Sequence, residues 1–520
     1  MKKLVFALCI FLCICSKSQT QTDWGPVIEN PHPGSDHMYI TTEDTANIYV
    51  IKKDYGFKAK EIWYIEAINK QRKSLVFSRY LVTPFTADKK ITEWNAIINL
   101  GSNLYLFSSY HDKLTGQFSA YATPINKTSG INGESILIYS TNTSAGNPYF
   151  QYTVSPDGNK LLLSCSPLEL KDNELKVIDE NLNSTWSGFL TARDVSQRLD
   201  AYQVMMDNAM NLVVFTGNYK ANGIVLNPTL ILYATSRQQV KTITIETPQQ
   251  FNIYNQTMRF YGNNQLYFAG LLRINTSRVE ITGGIISAHI DLDKQKIIST
   301  LTNIFNDQQL EELTGINRGW KNEYGLYFYG LYFIKNVFFR PNGTVSLLTE
   351  QGYARATYFP GNNPYYYYYM PYNYYNMGIN GQPVMETQRN LILAINLTEQ
   401  GNINWLKMIP KYQSYAVKEY LSFTAGYDND KLYLIYNDNK DNVFKSNAFS
   451  PKCMQNPKRS IAVVTTIDNN GNTKTKPFYW SKTGSGMAIK PALCTLLQSN
   501  KVLLFFEKDT RFSLGEFTLH

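Results

Sequence analysis

The sequence predicts an all-β protein, a β-propeller of about eight four-stranded blades, with seven as the alternative count. Three observations predict it. Short strands rich in Val, Ile, Tyr and Phe alternate with Gly/Asn/Asp turns along the chain. A four-strand unit recurs with starts roughly 40 to 80 residues apart, near the spacing of about 40 to 50 at which repeats signify propeller blades. The second strand of each unit is apolar almost throughout, as expected when a blade buries both faces against neighbours.

The units follow in order. The first is the least regular, with Ile48–Ile51, Ile62–Ile65 and Leu75–Phe77, and a weak inner strand around His37–Ile40. The second runs from Trp94–Leu100 through a turn at Gly101-Ser102-Asn103 to Leu104–Phe107. The third is the clearest: Phe150 to Ser164 carries the turn Pro156-Asp157-Gly158-Asn159, in which Pro presets φ and Gly accepts a positive φ. Glu174–Asp179 follows, and Trp186 opens its outer strand. Later copies contain Leu212–Phe215, Leu266–Phe268, Val345–Leu348, Leu432–Ile435 and Val502–Phe506. The last unit has only three strands, Leu493–Leu497, Val502–Phe506 and Phe512–Phe517. The segment between Trp24 and Tyr39 is therefore expected to supply the missing outer strand and remove an open edge.

Two stretches interrupt the pattern. Asp307 to Leu313 reads as a short helix between the fifth and sixth units. The sixth unit holds an insertion at 353–388 with Tyr365, Tyr366, Tyr367, Tyr368, Tyr369, Tyr372, Tyr374 and Tyr375. A hairpin connection this long exceeds the usual two to five residues and marks a functional or disordered segment. Tyrosine offers a flat apolar face with a polar tip and loses little entropy on ordering, so these eight side chains are the candidate binding surface.

Residues 1–18 read as a signal peptide: Met1-Lys2-Lys3, an apolar run from Leu4 to Cys15, then small residues before Gln19. The run is too short for a bilayer, which needs roughly 20 apolar residues. Leu12 and Ile14, preceding Cys13 and Cys15, argue against lipidation. Residues 19–520 then form a single propeller domain, with no further segment approaching a transmembrane run. Cys9, Cys13 and Cys15 leave with the leader, so Cys165, Cys453 and Cys494 remain. That is no disulfide scaffold, although Cys453 and Cys494 could pair. Removing Lys2, Lys3 and Lys17 takes the formal charge from +9 to +6. The basic residues are scattered, which excludes the clustered stripe of a nucleic-acid binder. The Asn-X-Ser/Thr sequons, from Asn126 to Asn396, occur about as often as chance supplies in an Asn-rich chain and decide nothing.

No catalytic or metal constellation is visible, and no cofactor fingerprint. None of the five histidines has the spacing of a zinc ligand set. His32 and His37, five apart in a Pro/Gly-rich segment, read as an exposed pair in an N-terminal arm. Asp428-Asn429-Asp430 and Asp438 to Asn442 lack the closing Glu of a calcium loop and read as hairpin turns.

Val177 to Trp186 following Ser155-Pro-Asp-Gly158, Leu391–Leu397 leading to Trp405 and Lys411, and Lys431–Asp438 together resemble a group of exported propeller-like proteins of the Bacteroidetes. The resemblance covers most of the chain loosely and its motifs mark strands and turns. It implies a Gram-negative envelope or secreted location: periplasm, outer-membrane surface or medium. The chain ends without an evident C-terminal sorting domain, a departure that puts surface attachment by that route in doubt. The expectation is a non-catalytic binding or assembly protein whose partner is an envelope protein or polysaccharide. The alternative is a glycan-active hydrolase or lyase with acidic residues on the propeller face.

Overall fold

The structure is a computed structural model. It describes residues 22–519 except 55–61, 83, 87–88, 143–148, 167–173, 190–199, 220–224, 237–238, 263, 275–281, 307–308, 310–331, 358–383, 429, 445–450, 482–485 and 498–499. The leader at 1–18 and nearly all of the helix expected at Asp307 to Leu313 lie outside the described residues.

Eight antiparallel blades form a ring, an eight-bladed β-propeller. Blade one takes Ser35–Glu43, Asn47–Asp54, Ile62–Asn69 and Ser74–Tyr80, paired in chain order. Blades two to seven repeat this over 93–142, 149–189, 200–244, 251–304, 332–409 and 424–480. Blade eight is composite. Its inner position is shared by Ala488–Ile489 and Thr495–Leu497, followed by Lys501–Lys508 and Arg511–Thr518. Thr22–Trp24 and Ile28–Glu29 pair with Arg511–Thr518 and complete it from the other end of the chain. The expected closure is therefore present, and the weak His37–Ile40 strand is the inner strand of blade one.

The apolar cores explain the ring. There are eight among the described residues, each built from two successive blades. The last joins Leu503, Phe505, Phe512 and Leu514 of blade eight to Ile48, Val50 and Ile68 of blade one. A closed ring of eight blades has eight seams, so no blade face is left unpacked. Second strands such as Asn47–Asp54 and Lys501–Lys508 are buried except at their ends, whereas the outer strand Thr473–Trp480 is largely exposed. This is why the second strands read as nearly unbroken apolar runs.

The turns share one construction. Gly158 donates its backbone N–H to the Ser155 carbonyl at 2.9 Å and takes φ of +76°. The same three-residue offset recurs at Asp179/Leu182, Asp207/Met210 and Asp468/Gly471, with φ of 67°, 65° and 77° at the third residue. In each of these three, the aspartate also accepts the backbone N–H of an asparagine four residues on, at 2.7 to 2.9 Å. Side-chain capping thus holds Leu182 and Met210 in a left-handed conformation that their Cβ atoms resist. At Asp438 the expected hairpin turn is instead a helical turn, Lys440–Phe444. Asp438 accepts from Asn439 N and Asn442 Nδ2, both at 2.7 Å.

Candidate functional site at the arm of blade six

Blade six differs from its neighbours in the length of its middle strands. Val345–Thr357 and Val384–Leu397 are 13 and 14 residues long, while the inner strand Tyr332–Phe339 reaches only to Gln351. Beyond that point the two long strands stay paired from Gly352↔Arg389 to Thr357↔Val384, past the described part of the inner strand. At ~3.4 Å per residue this arm extends roughly 17 Å. The corresponding strands of blade seven outrun their inner strand by only three residues, from Ile435 to Asp438↔Ile461. The ladder thus runs through residues 353–357 and 384–388, so strand pairing continues inside the expected insertion. Tyr365, Tyr366, Tyr367, Tyr368, Tyr369, Tyr372, Tyr374 and Tyr375 lie outside the described residues.

The arm is clamped where it leaves the blade. A register shift between Glu350 and Gly352 sets Gln351 opposite two residues, a bulge that bends a ladder. Gln413–Tyr415 pairs with the far edge of the returning strand at Thr387, Gln388 and Arg389. Glu350 is 2 % exposed; it accepts from Lys411 Nζ at 2.7 Å on one oxygen and from Ser422 Oγ at 2.6 Å on the other. Lys411 also donates to Gln413 Oε1 at 3.0 Å and the Arg389 carbonyl at 3.3 Å. Burial pushes the Glu350 carboxyl up, but Lys411, Lys335 and Arg389 outweigh it and hold the group below its usual range. A Cβ on Gly352 would meet the Arg389 guanidinium and displace it.

This network runs on across blade seven. Gln413 donates to the Asn437 carbonyl at 2.6 Å, and Asn437 Nδ2 donates to Tyr420 O at 2.9 Å and Ile489 O at 2.7 Å. Burial raises the neighbouring Asp438 carboxyl to about 7, and its bonds from Asn442 and Asn439 offset this only in part. Other polar atoms at the root are not satisfied. Tyr332 Oη, Gln351 Oε1 and both amide atoms of Asn390 are buried without a hydrogen-bond partner. An orphaned buried polar atom costs about 1 to 3 kcal/mol, and such atoms in native structures call for an explanation.

A second charged cluster lies where blade eight meets blade one. His37, read from sequence as exposed, is fully buried, with Glu66, Lys52 and Lys490 also at 0 % exposure and Glu507 at 1 %. Its Nδ1 is 2.6 Å from Glu507 Oε1 and its Nε2 2.8 Å from Glu66 Oε2. His32 is stacked on Tyr64 instead, so the two histidines share no site. The sequence held one overlooked signal: Glu66 interrupts the apolar run Ile62–Ile68, and Glu507 directly follows the run Val502–Phe506. Beside this cluster, burial raises both Asp36 and Glu419, and the charge of Asp36 raises Glu419 further.

Cys453 and Cys494 are both free thiols, so the pairing weighed from sequence does not form. Burial pushes Cys494 up to about 12, leaving it an unreactive thiol. Among the described residues there is no group of three or more His, Cys, Asp or Glu able to hold a metal, and no helix long and apolar enough to cross a membrane.

No protein-family model matches the chain, and no curated protein does. Among solved structures it is similar to the WD40 domain of SCAP from fission yeast, at 8 % identity over 95 % of this chain and 98 % of that one, with a TM-score of 0.37. It is also similar to an uncharacterised protein of Listeria monocytogenes, at 12 % identity over 79 % and 89 % of the two chains and a TM-score of 0.36. Prolyl oligopeptidase B from Galerina marginata aligns at 9 % identity over 84 % of this chain and 47 % of its own, with a TM-score of 0.38. Likenesses at this level carry no argument about activity, and the architecture rests on the strand pairing.

Proposed function

We propose that this is a non-catalytic, exported binding or assembly protein in which the propeller is a rigid platform and the arm of blade six presents the contact loop. The observation that carries the reading is the arm itself: a ladder that outruns its blade, clamped at its root by buried charge. The orphaned polar atoms of Tyr332, Gln351 and Asn390 fit the same reading, because stability conceded locally collects at functional sites. The tyrosine-rich stretch carried by the arm suits an envelope protein or a polysaccharide, both of which pack on flat amphipathic rings. The resemblance to exported Bacteroidetes proteins supports a periplasmic, outer-membrane or secreted location.

One observation favours a second reading, a glycan-active hydrolase or lyase. Asp36 and Glu419 are carboxyls raised by burial, and acid/base catalysis uses carboxyls displaced in this way. A single experiment separates the two. The tagged protein, with and without Tyr365–Tyr375, is used to capture partners from the native envelope and is then incubated with envelope polysaccharides. Loss of a partner in the deletion alone supports the binding role. Retention of every partner at unchanged affinity, with polysaccharide turnover by both forms, overturns it for the enzyme.

A further inference from the structure

The cluster joining blades eight and one supports an inference independent of the arm. Both ring nitrogens of His37 face carboxylate oxygens, Glu507 at 2.6 Å and Glu66 at 2.8 Å, and one comes from each side of the seam. Each carboxylate also meets a lysine. Glu66 accepts Lys52 Nζ at 2.9 Å and Ser78 Oγ at 2.7 Å, and Glu507 pairs with Lys490. Lys490 donates in addition to the His37 carbonyl at 3.1 Å, and Lys52 to Asn30. Both carboxylates are therefore ionised and can only accept. A neutral imidazole has one N–H, so it can satisfy one of them and must turn a lone pair on the other. The imidazole is fully buried, and Phe505 and Phe512 close it from the side, with ring centroids 4.8 and 4.7 Å from it.

We propose that His37 is a proton-operated clasp on the ring closure: as an imidazolium it binds blade eight and blade one together, and losing its proton loosens that seam alone. The seam is the one place where the ring's closure depends on the two ends of the chain meeting. Thr22–Trp24 and Ile28–Glu29 belong to blade eight although blade one follows them directly in sequence. Opening there frees the imidazolium to release its proton to solvent.

Electrostatics agree with the geometry. Burial alone would draw His37 down, but the charges of Glu507 and Glu66 and their hydrogen bonds outweigh it and hold the imidazole above its ordinary value. A group raised on folding contributes stability that is complete below its unfolded value, about 6.5. That stability is lost as pH rises through the folded value, the opening equilibrium growing about tenfold per pH unit in between. Asp36 on the same strand, Lys52 and Glu66 on the strands behind it, and Lys490 and Glu507 of blade eight all face the imidazole's site. Glu419 and Tyr420 lie beyond Lys490, whose Nζ sits 4.8 Å from the Tyr420 ring centroid. Replacing His37 removes the imidazole's own proton while Lys52 and Lys490 still hold Glu66 and Glu507 by ion pairs, which gives the control.

The test is amide hydrogen exchange between pH 6 and 9, reading Thr22–Trp24, Arg511–Thr518 and Ser35–Glu43 against the seam of blades two and three as internal reference. In the unaltered protein, opening at the closure is expected to rise about tenfold per pH unit relative to the reference, and His37→Gln should abolish that slope. An equal slope in His37→Gln, or at the reference seam, overturns the clasp. Should His37→Gln not fold, nitrogen NMR of the unaltered protein decides. Both ring nitrogens of the buried histidine protonated at pH 6 sustains the proposal, and a neutral tautomer there overturns it.

Discussion

The closure seam and the root of the arm use the same chemistry for different ends. Among the described residues, ion pairs with both partners buried occur only in these two regions. At the seam the charges come from two blades that the chain does not connect locally. At the root, Glu350, Arg389 and Lys411 come from blade six and its exit, so the network braces one blade against its own extension. The remaining seams have apolar cores without a fully buried ion pair among the described residues, as between blades two and three, where Phe118 and Phe150 stack at 4.3 Å. Apolar contact is nondirectional, whereas hydrogen-bonded charges accept one docking. Buried charge therefore sits where apolar packing alone would leave geometry loose: at a junction of chain ends, and at the base of a projecting ladder.

The largest expected effect breaks this comparison at its strongest points. Removing one partner of a buried pair typically costs about 3 to 5 kcal/mol. Glu507→Ala and Glu350→Ala should both fall in that range by urea unfolding, yet differ in where they act. Exchange should rise at Thr22–Trp24 and Arg511–Thr518 in Glu507→Ala, and at Val384–Arg389 and Gln413–Tyr415 in Glu350→Ala. Identical exchange maps would mean that the two regions form one cooperative unit.

The second prediction concerns Asp438, which lies between them. Its carboxyl is raised to about 7 by burial, so the native state binds a proton more tightly than the unfolded chain does. Stability should fall as pH rises from about 4 towards 7, by about 1.4 kcal/mol per pH unit. Asp438→Asn keeps an acceptor for Asn439 and Asn442 and should remove that slope, making the variant the more stable form above pH 7. Melting curves across pH give the answer, and parallel curves for the two proteins would refute it.

The smallest effect sharpens the contrast from the other end of blade six. Arg340 lies over Trp405 and Tyr427, 5.8 and 5.2 Å from their ring centroids. Arg340→Lys retains the charge but loses the flat stacking group, at a cost of about 0.5 to 1 kcal/mol. Denaturation should detect that loss while exchange in the arm stays unchanged, since this contact lies at the opposite end of the blade.

Much of the fold was legible because it is written in short-range signals. Turn residues such as Ser155 to Gly158 and Asp207 to Asn211 act over four or five positions. The apolar second strands announce blades packed on both faces. The three-stranded last unit showed that an outer strand had to come from the N-terminal segment. The arm was visible as an interruption, but its strands were not separable from the insertion, because Tyr353–Thr357 and Val384–Gln388 lack the apolar run of a blade interior. His37 was misread as exposed for a similar reason. Its neighbours Pro33, Gly34 and Ser35 look like a surface loop, and nothing local reveals a partner 470 residues away.

The sequence by itself determined the strands, most of the turns and the need for closure, and left the blade count at eight or seven, since these follow from side-chain period and turn chemistry within a few residues. Only the tertiary structure decided which charges are buried, that His37 bridges Glu66 and Glu507, and that Lys411 anchors the arm through Glu350. Those outcomes depend on burial and on distances of a few ångströms between groups far apart in the chain, and the energy of a buried charge is set by its three-dimensional surroundings.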